Sequence, residues 1–160
     1  MRRILIAVLA CLPALASSQQ GWTRTIPDQS DSQEVDLSSI TSQGDEWSAW
    51  TRSRFVIASE FPAGTKIEPA SVHHLKLAVR CKPEGMSFRV LSTKLVGPNG
   101  NVGFEASKNL DKTYPPIDGV EYGASAPGLI CAAALAQKNG RKMPWPMKKS
   151  EHRSFVSSML

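Results

Sequence analysis

The stretch that decides the fold spans residues 75–106 and reads LKLAVRCKPEGMSFRVLSTKLVGPNGNVGFEA. Apolar and polar residues alternate in three parts of it, as they do in strands with one buried face. Residues 82–85 and 97–100 separate these parts and have the glycine, proline and asparagine content of tight turns. The pattern therefore predicts three strands in an antiparallel meander.

Further elements are expected on either side of this stretch. Apolar residues alternate over residues 54–61 and predict a fourth strand. Residues 129–138 are rich in helix formers, with Ser125 as a helix N-cap before them and Gly140 as a stop after them. A buried strand there is the alternative, which the alanines disfavour. We expect an α+β fold, in which one C-terminal helix packs on a small antiparallel sheet of about four strands.

The cysteines predict one disulfide. Cys11 lies in an apolar segment at the start of the chain, which leaves Cys81 and Cys131 as a pair. An even pair in an exported protein is typical of a disulfide, and this one would close a loop of about 50 residues, worth roughly 4 kcal/mol. It would join the end of a strand to the helix. A reactive thiol at Cys131 is the alternative.

The first residues have the order of a secretory signal peptide. Arg2 and Arg3 precede an apolar run, and Ala14-Leu15-Ala16 has the pattern of a cleavage site. The run is shorter than the roughly 20 residues that span a bilayer, and no second apolar stretch suggests a membrane span. We predict cleavage near Ala16 and a periplasmic or secreted location. Cys11 as the lipidated residue of a lipoprotein is the alternative.

The rest of the chain divides by composition into three parts. Residues 17–46 are polar and predict a flexible lead-in. Residues 47–140 form the α+β domain. Residues 141–160 contain two prolines around Trp145 among lysines, and predict an extended basic-aromatic tail.

The sequence contains no recognisable catalytic, cofactor or metal motif, and we assign no catalytic residue, cofactor or metal ligand. The residues around Ser125 resemble the G-x-S-x-G element of hydrolases, but Pro127 replaces its last glycine. A helix cap explains Ser125 equally well. His73 and His74 are adjacent, so they point to opposite faces of a strand and are poorly placed to bind one ion. We expect both to be exposed in a loop.

Two aromatic clusters are candidates for binding a partner. In each, tryptophan lies close to cationic side chains, which suits cation–π contacts or an interfacial surface. The candidate residues are Trp47, Trp50, Arg52 and Arg54 in the first cluster and Lys142, Trp145, Lys148 and Lys149 in the second. Packing of the tryptophans on the sheet is the alternative.

These observations predict an exported, non-catalytic binding or accessory protein of the periplasm or cell envelope, of an inhibitor, immunity or secretion type. Residues 64–160 carry fourteen lysines and arginines against seven acidic residues. This balance favours an anionic envelope surface or a protein as the partner, and export argues against nucleic acid. The alternative is a small exported hydrolase acting on cell-wall material.

Overall fold

The computed structural model describes residues 21–160, so the predicted signal peptide and Cys11 lie outside the described residues. Within residues 21–160 the chain forms eight strands and two α-helices. Their bounds are β1 Trp22–Arg24, β2 Glu34–Asp36, β3 Thr41–Gln43, β4 Glu46–Ser53, β5 Val72–Lys82, β6 Gly85–Val96, β7 Val102–Ala106, β8 Ile117–Val120, α1 Ala126–Lys138 and α2 Lys149–Ser157. None of these helices is long and apolar enough to cross a membrane.

All eight strands belong to one antiparallel sheet. Its order is β1-β2-β4-β5-β6-β7, with β3 also paired to β4 and β8 to β6. The predicted meander is confirmed as β5-β6-β7, with Leu77 opposite Val90 and Cys81 opposite Met86. The antiparallel sheet is thus as expected, but it has eight strands rather than about four, and two helices rather than one.

The segment predicted as a fourth strand is not a strand. Residues 54–61 form an irregular connection with a 3-10 turn at Ala58–Glu60. Phe55 is 70% exposed and Ile57 43% exposed, whereas Phe61 is buried against the rings of His73 and Phe104. Residues 54–61 cannot pair with the preceding strand β4, because β2 and β3 occupy one of its edges and β5 the other.

The part of the expected lead-in that the structure describes is instead part of the sheet. Residues 21–46 supply β1, β2 and β3, and Val35 in β2 is completely buried. A strand gains its ladder hydrogen bonds from backbone groups of any sequence. Polar composition therefore underestimated the strand content of this segment, whereas its flexibility stays a prediction.

The chain after Gly140 is also more ordered than the predicted extended tail. It ends in α2, whose Val156 is completely buried in the core. The Lys148 backbone N–H donates to the Glu151 carboxylate at 3.0 Å, a capping contact at the start of this helix. The two prolines bar a helix only up to Pro146, and a helix begins three residues later.

Helix α1 covers one face of the sheet. It packs on β2, β4, β5 and β6, and every residue of Ala126–Ala136 is buried. Its alanines let the helix backbone lie close to the strands. The Cys81–Cys131 disulfide is confirmed, with a Cα–Cα distance of 5.8 Å, and it joins the end of β5 to α1. The opposite face of β4, β5 and β6 is covered by neither helix of the described chain.

Candidate binding face

The uncovered face of the sheet carries aromatic and basic side chains in register. Arg52, His74 and Lys94 lie side by side on β4, β5 and β6. Two residues further along β4 and β5, Trp50 lies opposite Lys76. We call the set Trp22, Trp50, Arg52, His74, Lys76 and Lys94 the open face. These positions alternate with Ala49, Leu77 and Val79, which point into the core, so the two-residue period of the strands separates the two sets.

At one edge of the open face the charges are paired. The Arg52 guanidinium lies 4.3 Å from the centre of the Trp22 ring, and its Nε donates to the Glu34 carboxylate at 2.6 Å. The His74 ring contacts Trp22 edge to face at 5.8 Å. Trp22 and Arg52 are therefore held by each other and by Glu34.

The centre of the open face has unpaired cations. The Lys94 ammonium lies 4.7 Å from the centre of the Trp50 ring, and Lys76 is the cross-strand neighbour of Trp50. Among residues 21–160, no carboxylate lies within 4.0 Å of either lysine ammonium. Two lysines without an ion pair therefore flank a half-buried indole, and Glu105 is the cross-strand neighbour of Lys94 on β7.

The electrostatic field at this centre is positive. The pKa of His74 is lowered to about 4, chiefly by burial and in addition by the positive charges of Lys94 and Arg52. His74 is consequently neutral near pH 7. The neighbouring cations that depress its pKa would equally attract an anion.

The other end of the same face is neutralised. The Glu46 carboxylate accepts from Arg89 at 2.8 Å and lies 3.3 Å from Arg80, and the hydrogen bond from Arg89 lowers its pKa. Arg80 also lies 3.3 Å from the Asp45 carboxylate. These arginines stabilise the acids beside them, so the free charge of the face is concentrated around Trp50.

The structure separates the residues of the first predicted cluster. Trp50 and Arg52 lie on the open face, as just described. Trp47 points to the other side of β4, opposite Val79, and packs against the core. Arg54 is exposed beyond the end of β4. The prediction did not include Trp22, His74, Lys76 and Lys94, although the alternation of the strands already placed Lys76 on a polar face.

The second predicted cluster includes residues with structural contacts. The Trp145 indole N–H donates to the Arg24 backbone carbonyl at 3.1 Å, and its ring packs on His152 at 5.6 Å. The Lys149 ammonium pairs with the Glu121 carboxylate. Lys142 and Lys148 are exposed. Trp145 thus helps to fix the C-terminal segment to the sheet, and its role in binding a partner stays a prediction.

The two adjacent histidines are strand residues rather than loop residues. Both lie in β5 and point to opposite faces. His73 is buried, its Nε2 lies 2.7 Å from the Thr93 hydroxyl, and its Nδ1 lies 3.4 Å from the Glu60 carboxylate. Burial lowers the pKa of His73 and raises that of Glu60. These contacts attach the irregular segment before β5 to the sheet.

Ser125 and His152 both lie beside Gly128, and no hydrogen bond joins their side chains. The Ser125 hydroxyl accepts from the Gly128 backbone N–H at 3.2 Å, which is a helix N-cap. His152 is completely buried between the rings of Tyr122 and Trp145, and neither of its ring nitrogens has a hydrogen-bond partner. A base that activates a hydroxyl must be within hydrogen-bonding reach of it.

Replacing Ser125 with alanine is therefore expected to lower the free energy of unfolding by about 1 kcal/mol, through loss of the cap. Urea unfolding of the variant and the wild type measures this. A Ser125→Thr variant is the matched control, because threonine retains a capping hydroxyl. Unchanged stability together with loss of a hydrolytic activity would contradict the assignment of Ser125 as a cap.

Within residues 21–160, no group of three or more histidine, cysteine or acidic side chains is arranged to hold a metal ion. The fold and the open face define a disulfide-linked α+β domain with one sheet face that neither described helix covers. No family model matches the chain, and neither a curated protein nor a solved structure shows significant similarity to it. Its function is therefore argued from the residues of the open face.

Proposed function

We propose that this protein is an exported, non-catalytic binding protein of the periplasm or cell envelope that holds an anionic partner on its open face. The observation that carries the proposal is the arrangement around Trp50. Two lysines without acidic partners among the described residues lie beside an aromatic ring on a face that neither described helix covers.

The distribution of charge supports a binding role for this centre. Arg52, Arg80 and Arg89 all have carboxylates within 4.0 Å, whereas Lys76 and Lys94 have none in the described chain. Lys76 and Lys94 are diagonal neighbours on β5 and β6, so their like charges repel around the Trp50 ring, though less than a directly opposed pair would. A partner that supplies negative charge would remove this repulsion and gain the attraction.

The disulfide supports the proposed location. Cys81 and Cys131 are bonded, and such bonds persist in oxidising compartments such as the periplasm or the cell exterior. The signal-like start of the sequence points the same way. A face that selects anions suits this location, because bacterial envelopes present anionic lipids and polymers to the proteins around them.

Reversing the two free charges tests the proposal. The Lys76→Glu/Lys94→Glu variant is expected to lose retention on immobilised dextran sulfate at moderate salt, whereas the wild type is retained. Lys108→Glu/Lys112→Glu is the control, because it changes the net charge equally at two exposed sites elsewhere. Equal loss in both variants would show that only total charge matters and would contradict a role for the open face.

A further inference from the structure

We propose that the anionic partner is an acidic polysaccharide, with a sugar ring stacked on Trp50 and its acidic groups paired with Lys76 and Lys94. This inference rests on the proposed function and names the class of ligand. It requires a flat aromatic surface, fixed cations beside it, and a reason to prefer a polymer of acidic sugars to a membrane.

Trp50 provides the aromatic surface. It lies in the middle of the eight-residue strand β4, which is paired on both sides, so its backbone is held rigidly. The C–H groups on one side of a sugar ring are electropositive and suit the negative face of an indole. The cation that now lies over this ring, the Lys94 ammonium at 4.7 Å, marks its face as accessible to a charged group.

The lysines provide charge recognition. Lys76 projects directly beside Trp50, and Lys94 reaches the same ring from the next strand, β6. Both side chains are long and have freely rotating ammonium groups. A sugar acid seated on the indole would take the place of Lys94 over the ring and pair its carboxylate or sulfate with that ammonium, leaving Lys76 for the next acidic group.

The small number of free cations disfavours a membrane. Surface attraction to anionic lipid contributes about 1 kcal/mol per lysine or arginine, and recognisable lipid-binding segments have roughly 4–8 of them. Among the described residues, Lys76 and Lys94 are the open-face cations without a carboxylate within 4.0 Å, because Arg52 is paired with Glu34. Glu34, Glu46 and Glu105 lie on the same side of the sheet and would face a continuous layer of headgroups, whereas a single polymer chain can pass over Lys76 and Lys94 between them.

The test is a titration of the mature, disulfide-bonded protein with a polygalacturonate oligomer. Binding is measured by the tryptophan fluorescence of the protein and by calorimetry. Polyglutamate with the same number of carboxylates is the comparison ligand, because it has the charge without the ring. Vesicles of phosphatidylglycerol and phosphatidylcholine in equal parts represent the membrane. We expect the oligomer to bind more tightly than either.

Two variants separate the contributions. Trp50→Ala is expected to weaken oligomer binding by at least about tenfold while leaving polyglutamate binding unchanged. Trp50→Phe retains a ring and should recover part of the affinity, which also guards against a folding defect in the alanine variant. Lys76→Glu/Lys94→Glu should abolish binding of both polymers.

The outcomes distinguish this inference from the proposed function. Equal binding of polyglutamate, tighter binding of vesicles, or an unchanged affinity of Trp50→Ala would overturn the polysaccharide and leave an anion-binding face. Failure of all three ligands to bind, or binding insensitive to the lysine reversals, would overturn the proposed function as well.

Discussion

Replacing Cys81 and Cys131 together with alanine is expected to lower the free energy of unfolding by about 4 kcal/mol, the largest effect we expect of any change in this protein. The two residues are 50 positions apart in the sequence. Without the bond, the unfolded chain regains the freedom of a long loop, and α1 loses its covalent link to β5. A loss of this size is a large part of the stability of a small domain.

Urea unfolding of the double variant and the wild type measures the difference. Reduction and alkylation of the wild type provides an independent comparison, and both forms should lose stability to a similar extent. A loss below about 1 kcal/mol would indicate that the packing of α1 on the sheet, rather than the bond, holds the two layers together.

Acidification is expected to destabilise the protein steeply as the pH falls below about 6.5, the ordinary pKa of an unfolded histidine. Burial lowers the pKa values of His73, His74 and His152 in the folded state. The unfolded chain therefore binds more protons than the folded chain below this pH. Their contribution to stability is present above the unfolded pKa and is lost as the pH falls towards the folded pKa values, at up to about 1.4 kcal/mol per pH unit for each group.

His152 is expected to contribute to this effect together with His74, whose pKa is lowered to about 4. His152 is completely buried, and burial lowers its pKa more than the nearby backbone groups of Gly123 and Gly128 raise it. The rings of Tyr122 and Trp145 pack against it, and the Tyr122 hydroxyl donates instead to the Lys82 carbonyl at 2.6 Å. The exposed neighbours Glu151 and Arg153 point to solvent from α2. A proton on His152 would therefore place a charge in a completely buried position beside two aromatic rings.

His152→Leu separates this residue from the other two histidines. Leucine has a similar volume and no polar atoms, so the variant should be at least as stable as the wild type at neutral pH. Its free energy of unfolding should depend less steeply on pH below about 6.5, because the variant takes up about one proton fewer on unfolding. Urea unfolding at a series of pH values measures both effects, and an acid profile identical to that of the wild type would show that His152 is not responsible.

Local patterns in the sequence predicted the parts of the fold that short-range chemistry controls. The alternation of residues 75–106 predicted the strands β5, β6 and β7. Ser125 and Gly140 predicted the two ends of α1 to within a residue or two. The pair Cys81 and Cys131 was the only combination left once Cys11 was assigned to the signal peptide. Each of these features depends on residues close together in the chain or on simple elimination.

The candidate site was only partly predictable. Trp50 and Arg52 stood out because they are near neighbours in the sequence, but their partners come from other strands. Lys94 reaches Trp50 across β5, and Trp22 meets Arg52 from the edge of the sheet. These contacts depend on strand order and register, which no local pattern specifies.

The sequence by itself determined the meander, the apolar helix and the disulfide, because period, capping and cysteine number act locally. Only the tertiary structure decided that residues 21–46 pair with the sheet and that residues 54–61 do not. It also decided that Lys76 and Lys94 meet around Trp50. The physical reason is that a strand becomes stable through the hydrogen bonds of its neighbour, and the identity of that neighbour is a property of the whole folded chain.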